Sequence, residues 1–340
     1  MDFKKIFIKD ACPTKVGGQA VLEGVMMKGE DRTAIVVRTD KGHLYIKTEK
    51  LPIRSKAAEI PIVRGVYIFV TTLMTGMKTL IYSAEVLEKL LADEQTEAAE
   101  EQKEEGGMPF GVMIALSVAI AIAFVVGIFI IVPTIAVNFF AAYTDSAVLL
   151  NIFEGVLRII FFVVYIVVIS RMKEIQTTFE YHGAEHKTIH CFESGLPLTP
   201  KEAARFETLH PRCGTSFLMF VMIIALLLFS LLGWPDLATR IASRVVFIPL
   251  IAGLSFELLR FAGSTDTALV RILSVPGLLL QKLTTRVPDE SKLEVAIAAL
   301  GAVIVPPETP EIEGYCDLDG KLLPDENSLE YESAFEGLWD

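Results

Sequence analysis

Chemistry in this sequence concentrates at His182, Glu185, His186, His210, Arg212 and Cys213. Four of the five histidines (His182, His186, His190 and His210) fall within 29 positions, together with Cys191 and Cys213. On a helix, His182 and His186 stand one turn apart and aim both imidazoles at one ion. The order His-x-x-Glu-His is that of the inverted zinc peptidases, in which two histidines hold Zn²⁺ and the glutamate activates water. His210-Pro211-Arg212-Cys213 puts two further ligands on a tight turn, a common half of a zinc site. A set of His182, His186, His210 and Cys213 is coordinatively closed and therefore a structural staple. Three of them with an open position make a catalytic site, with Glu185 as base and Arg212 orienting an anionic group. His190 reads as a neighbour, since a fifth protein ligand is unusual for zinc. The plain alternative is a helix surface carrying ordinary hydrogen-bonded histidines.

The segment from Phe179 to Glu193 has no proline and one glycine, so a helix carries His182, His186 and His190 on one face, with Glu185 adjoining. A second helix is predicted over 199–209, capped by Thr199 with Pro200 in its first turn. Cys213 lies at the membrane surface, because an apolar run begins at Gly214. A straight helix from residue 170 would carry His182 roughly 18 Å away from it. A shared site therefore demands a break between Arg171 and Phe179, for which the β-branched pair Thr177-Thr178 offers a place.

Hydrophobic residues make up 52% of the chain and the mean hydropathy is +0.49, which excludes an ordinary soluble domain. Four apolar runs explain the excess: 110–132, 148–170, 214–233 and 245–262. The fold class is mainly α: a polytopic helical membrane protein with about four transmembrane helices, interfacial amphipathic helices and a small N-terminal cytoplasmic β element. Connector 171–212 carries six Lys or Arg, against none in 141–147 and two in 234–244, and the first 64 residues carry thirteen. Both termini and the His/Cys-rich connector are thus predicted on the cytoplasmic side. No cleavable signal peptide is visible. Reducing surroundings favour metal ligation by the cysteines over disulfides. The net charge of -11 resides in two acidic runs, 93–105 and 306–340, which read as solvated segments. The remainder suits an anionic inner leaflet and bears no nucleic-acid footprint.

Along the chain, residues 1–56 form a β-rich segment with strands at 33–39 and 43–48 around an Asp40-Lys41-Gly42 turn. Glycine-rich 17–29 reads as bent strands, not as a phosphate cradle. Residues 57–92 carry an amphipathic helix with a stripe from Val66 to Leu91, and 93–108 an acidic linker. A first transmembrane hairpin spans 109–170, the metal-binding connector 171–213 and a second hairpin 214–262. Interfacial and amphipathic helices occupy 263–304, with 268–283 broken at Pro276-Gly277 and a short amphipathic helix at 289–300. An acidic tail follows over 305–340, disordered or docked through Tyr315 or Trp339. Within the membrane, Glu154 and Arg158 neutralise each other at i,i+4, a structural pair or part of a path for an ion or polar substrate. Glu257 and Arg260 read as interfacial charges, Glu257 within reach of the metal region, and Arg64 and Lys78 as snorkelling cations.

The strings GGQAVLEGVMM, YHGAEHKTIHCFESG and HPRCGTSF resemble the YqhQ-like family of bacterial membrane proteins, over roughly residues 14–300. That family is catalogued as a domain of unknown function and described as predicted metal-dependent enzymes. The resemblance implies a bacterial inner-membrane protein and matches His182, Glu185, His186, His210, Arg212 and Cys213. The resulting expectation is a zinc-dependent or other divalent-metal membrane enzyme of hydrolase type at the cytoplasmic face. Its rivals are a non-enzymatic scaffold or assembly factor with a zinc staple, and a transporter. The expected partners are the lipid bilayer and a substrate or protein of unspecified identity, with homo-oligomerisation compatible and nucleic acid excluded.

Overall fold

A computed structural model describes residues 3–8, 12–39, 42–52, 59–94, 110–264, 267–318 and 320–323. The Asp40-Lys41 part of the predicted turn, most of the acidic linker and Trp339 lie outside them. The chain is mainly helical. After a short helix α1 (Phe3–Ile6), four strands follow: β1 (Gly17–Val21), β2 (Gly24–Lys28), β3 (Arg32–Arg38) and β4 (Leu44–Lys50). Helices α2 (Val63–Glu94), α3 (Phe110–Val126), α4 (Val132–Asn138), α5 (Ala147–Ile169) and α6 (Lys173–Glu193) come next. Then come α7 (Pro200–Ala203), α8 (Gly214–Ser230), α9 (Leu237–Val246), α10 (Ile248–Ser264), α11 (Ala268–Thr284), α12 (Glu290–Val303) and β5 (Glu313–Cys316).

The strands form one antiparallel sheet in the order β1-β2-β3-β4-β5. Alternation along β2 and β3 supplies two apolar faces. Val25, Met27, Ala34 and Val36 join α12 and α6 in the main core. Met26, Ile35 and Val37 face the other way, against Tyr82 and Leu87 of α2. The predicted short amphipathic helix at 289–300 is observed as α12, and it is buried on all sides through Val295–Leu300, at the centre of the fold. Part of the predicted acidic tail is ordered as β5, which pairs with β4 so that Tyr315 meets Tyr45 edge-on, centroids 5.4 Å apart.

Two helical segments, Leu116–Ala142 and Ala147–Ile169, are long and apolar enough to cross a membrane. A third candidate is the pair Leu237–Val246 and Ile248–Ala262, bent by 44°, while Gly214–Ser230 is a shorter apolar helix. The first segment holds a π turn at Gly127–Ile131 just before Pro133, whose missing N–H disturbs the helical ladder. Helix α2 turns small residues toward protein, with Thr79 and Ser83 buried, and leaves Val70, Leu73, Met77 and Leu80 of its predicted stripe exposed. Two of its cations are paired: Arg64 Nε donates to Glu257 Oε1 at 2.7 Å, and Lys78 to Glu49 at 2.6 Å. Glu257 thus answers Arg64, not the histidines.

Three predicted boundaries move. The break before the histidine helix falls at Ser170–Met172, not at Thr177-Thr178. Both threonines stay helical, their hydroxyls donating within the helix to the carbonyls of Lys173 (3.3 Å) and Glu174 (3.1 Å). Carbonyls released at the break are taken up by Gln176, which reaches Ser170 and Arg171, and by Arg286, which reaches Ser170 at 3.2 Å. The predicted 199–209 helix shrinks to α7, although Thr199 does cap it by accepting from the Glu202 amide. Helix α11 runs unbroken through Pro276. There Gly277 lies so close to Ser216 of α8 that a Cβ would collide, so the helix packs tightly on α8 just past the proline.

Candidate functional site

Three segments meet around α6: the end of α11, the 204–213 connector and the start of α8. The predicted helix through His182, His186 and His190 is observed. Lys187 Nζ donates to the carbonyls of Ala204 (2.7 Å) and Phe206, which folds the connector back over α6. Burial lowers the Lys187 pKa. On the other side, the Arg286 amide donates to the Phe179 carbonyl at 2.9 Å, and the Arg286 carbonyl lies against Gly183 where a Cβ would overlap it. The glycine in His-Gly-Ala-Glu-His is therefore the point of closest approach between α6 and the chain leaving α11.

These anchors fix both imidazoles. His182 Nδ1 is 2.8 Å from the Thr284 carbonyl, and His186 Nδ1 is 2.5 Å from that of Thr208. A carbonyl only accepts, so each Nδ1 is the donor, and the tautomer that can ligate an ion does so through Nε2. His182 Nε2 stands 3.2 Å from Cys213 Sγ. One donor atom each from His182, His186 and Cys213 lie within 4.8 Å of one another. Tetrahedral zinc, with bonds of about 2.0–2.1 Å to nitrogen and 2.3 Å to sulfur, needs donors roughly 3.3–3.7 Å apart. Cys213 is also the N-cap of α8 and accepts from the Thr215 amide at 3.4 Å, which orients its sulfur. The donor types, the free lone pairs and the backbone carbonyls behind both histidines fit a divalent ion of borderline softness.

His210 is brought close but not into this triplet. Its ring is 4.6 Å from that of His190 and 5.5 Å from that of His186, centroid to centroid. Gln281, itself buried, clamps its backbone twice at 2.8 Å, amide to Oε1 and Nε2 to carbonyl, and reaches Ser216 Oγ at 3.0 Å. Burial holds His210 well below the ordinary histidine pKa and pulls His190 down to about 4, so both rings are neutral near pH 7. Arg212 donates to the Thr14 carbonyl at 3.0 Å and pairs with Glu193, which also accepts from the Thr14 amide and hydroxyl. The guanidinium predicted to orient an anionic group is thus engaged by a carboxylate.

Glu185 is 5% exposed and packs on β1, where the Gly18 amide donates to it. A Cβ on Gly18 would come within 3.0 Å of the Glu185 carboxyl carbon. Burial raises its pKa, and the neighbouring His182 and the Gly18 amide oppose that rise. The N-terminal sheet therefore positions the motif carboxylate. Gln281, Glu193, Thr208 and Thr284 are site residues that sequence reasoning missed. Thr208 and Thr284 act through backbone carbonyls, which leave no trace in residue type. Gly183 was legible as a glycine inside a helix.

Fold and site together define a helical membrane protein in which a small β-sheet holds a His/Cys-bearing helix against the ends of an apolar bundle. The family model described as a protein of unknown function, DUF1385, matches residues 60–305, and the chain belongs to that family. It is 32% identical over 304 residues to the uncharacterized protein YqhQ of Bacillus subtilis (strain 168), covering 87% of this chain and 94% of that protein. No solved structure matches it.

Proposed function

We propose that this protein is a metal-dependent membrane enzyme of hydrolase type, with His182, His186 and Cys213 as the ligands of a divalent ion, zinc being favoured by the donor set. The observation that carries this reading is that one donor atom each from His182, His186 and Cys213 lie within 4.8 Å of one another while both Nδ1 atoms are held by backbone carbonyls. Three protein donors leave a coordination position for substrate or water. These residues would hold an ion that, when bound, would supply Lewis acidity and a nucleophilic water near neutral pH. Glu185, beside the Gly18 amide, would take up the proton of that water. Arg212 and Gln281 position the turn that presents Cys213, and an anionic substrate group would have to displace Glu193 to reach Arg212.

In the same reading the chain crosses the bacterial inner membrane four times, as α3–α4, α5, α8 and the bent α9–α10 pair, with both termini and the site in the cytoplasm. The support is the concentration of Lys and Arg in 1–64 and 171–212. A second reading is a non-enzymatic scaffold stapled by zinc. It draws on the burial of His186, 1% exposed, and Cys213, 8% exposed, where three segments are tied together.

Glu185→Gln separates the two. The enzyme reading expects metal content and thermal stability near wild type with complementation of a deletion strain lost. Full complementation by Glu185→Gln would favour the staple.

A further inference from the structure

At the end of the bundle opposite Cys213, three guanidiniums meet one buried carboxylate. Glu154 on α5 accepts from Arg158, from Thr134 Oγ1 at 2.9 Å and from Arg244 Nη2 at 2.9 Å. Arg244 Nη2 also donates to Asn151 Oδ1 at 2.8 Å, and Asn151 Nδ2 is spent on the carbonyls of Ala147 and Gly233. Arg240, one turn before Arg244 on α9, gives Nη2 to Asn138 Oδ1 at 3.0 Å. Its guanidinium lies 3.9 Å from the Trp234 ring centroid, and that of Arg244 lies 4.0 Å from the Phe229 ring.

These contacts do not use all the donors. Nε and Nη1 of Arg240 and Nε of Arg244 are buried without a hydrogen-bond partner, in side chains 3% and 5% exposed. Asp236 makes no hydrogen bond to them, since its oxygens accept from the Ala238 and Thr239 amides and the Thr239 hydroxyl as the cap of α9, although its charge acts on Arg240 together with that of Glu154. A guanidinium does not shed its proton. Among the described residues, three positive charges thus face two negative ones, and buried N–H donors are left without a partner, which favours a further anionic acceptor. The unpartnered Nε and Nη1 of Arg240 and Nε of Arg244 are planar N–H donors of the kind that grip phosphate oxygens. On the side of the 233–236 turn, Arg240 is covered by the half-buried Trp234 ring, which would move aside to admit an anion.

We infer that Arg240 and Arg244 bind a phosphate-bearing anion at the membrane face opposite the His/Cys site. A phospholipid headgroup and free phosphate share this chemistry, and the assay distinguishes them.

Full-length protein is purified with phosphatidylglycerol and examined by native mass spectrometry for retained lipid. In parallel, its thermal stability is titrated with inorganic phosphate against chloride at equal ionic strength. Arg240→Leu removes an uncompensated buried charge, so that variant folds, and Arg240→Gln provides a second, polar one. The exposed Arg171→Leu is the charge control. We expect at least about tenfold weaker binding in both Arg240 variants, and wild-type binding in Arg171→Leu. Loss confined to the lipid assigns a headgroup. Loss confined to the phosphate response assigns a free anion. If wild type binds neither, or if the Arg240 variants bind as wild type does, the inference is overturned.

Discussion

His182 Nε2 and Cys213 Sγ are 3.2 Å apart although 31 positions separate them in the chain. The contact closes a loop in which α6 turns back through α7 and a connector into α8. It persists because the carbonyl of Thr284 holds the far side of the His182 ring and the Thr215 amide holds the sulfur. Neither restraint comes from the five-residue motif itself. The motif supplies donors on one helix face, and α11 and α8 bring the third donor to them.

Gly183→Ala tests the closeness of α6 to the chain after α11. Its Cβ would overlap the Arg286 carbonyl, a backbone atom that cannot swing aside. Relief requires α6 and the 284–286 segment to separate, which loosens the Thr284 hold on His182. We expect a loss of about 1–3 kcal/mol of stability, read by thermal or denaturant unfolding, together with weaker metal binding. An alanine variant with wild-type stability would contradict the packing.

Cysteine reactivity follows burial. Cys12 is exposed, whereas burial pushes the Cys191 thiol up to about 11 and the Cys316 thiol up to about 12. Since the thiolate is the nucleophile, maleimide at pH 7–8 labels Cys12 first, and Cys191 and Cys316 only on unfolding. Peptide mapping of the labelled native protein checks this. Labelling of Cys191 at the rate of Cys12 would contradict it.

Topology is tested in intact cells. On the proposed topology, which rests on the six Lys or Arg in 171–212, a cysteine introduced at the exposed Lys201 is expected to stay unlabelled by an impermeant reagent. One introduced at Tyr143, an exposed residue between α4 and α5, is labelled. The reverse pattern would invert the orientation.

The sequence made the local facts legible and left the tertiary ones hidden. Absence of proline between Phe179 and Glu193 was enough to place His182, His186 and His190 on one helix. Alternation in 33–39 and 43–48 was enough to pair β3 with β4. The site of the helix break was not legible, since it depends on Gln176 and Arg286 collecting the carbonyls of Ser170 and Arg171. Pro276 reads as a breaker until Gly277 is seen packed on Ser216. β5 is too short and too acidic to declare itself without β4 as a template. His210 and Cys213 share one turn in sequence, yet the Gln281 clamp and the His190 ring hold His210 outside the close triplet, and nothing local encodes that.

The most direct test is elemental analysis of purified full-length protein, with circular dichroism to confirm folding, for wild type, His186→Ala, Cys213→Ala and His210→Ala. The account predicts one divalent ion per chain in wild type and in His210→Ala, and its loss in His186→Ala and Cys213→Ala. Unchanged metal content in folded His186→Ala or Cys213→Ala would contradict the shared site and leave the two clusters chemically separate.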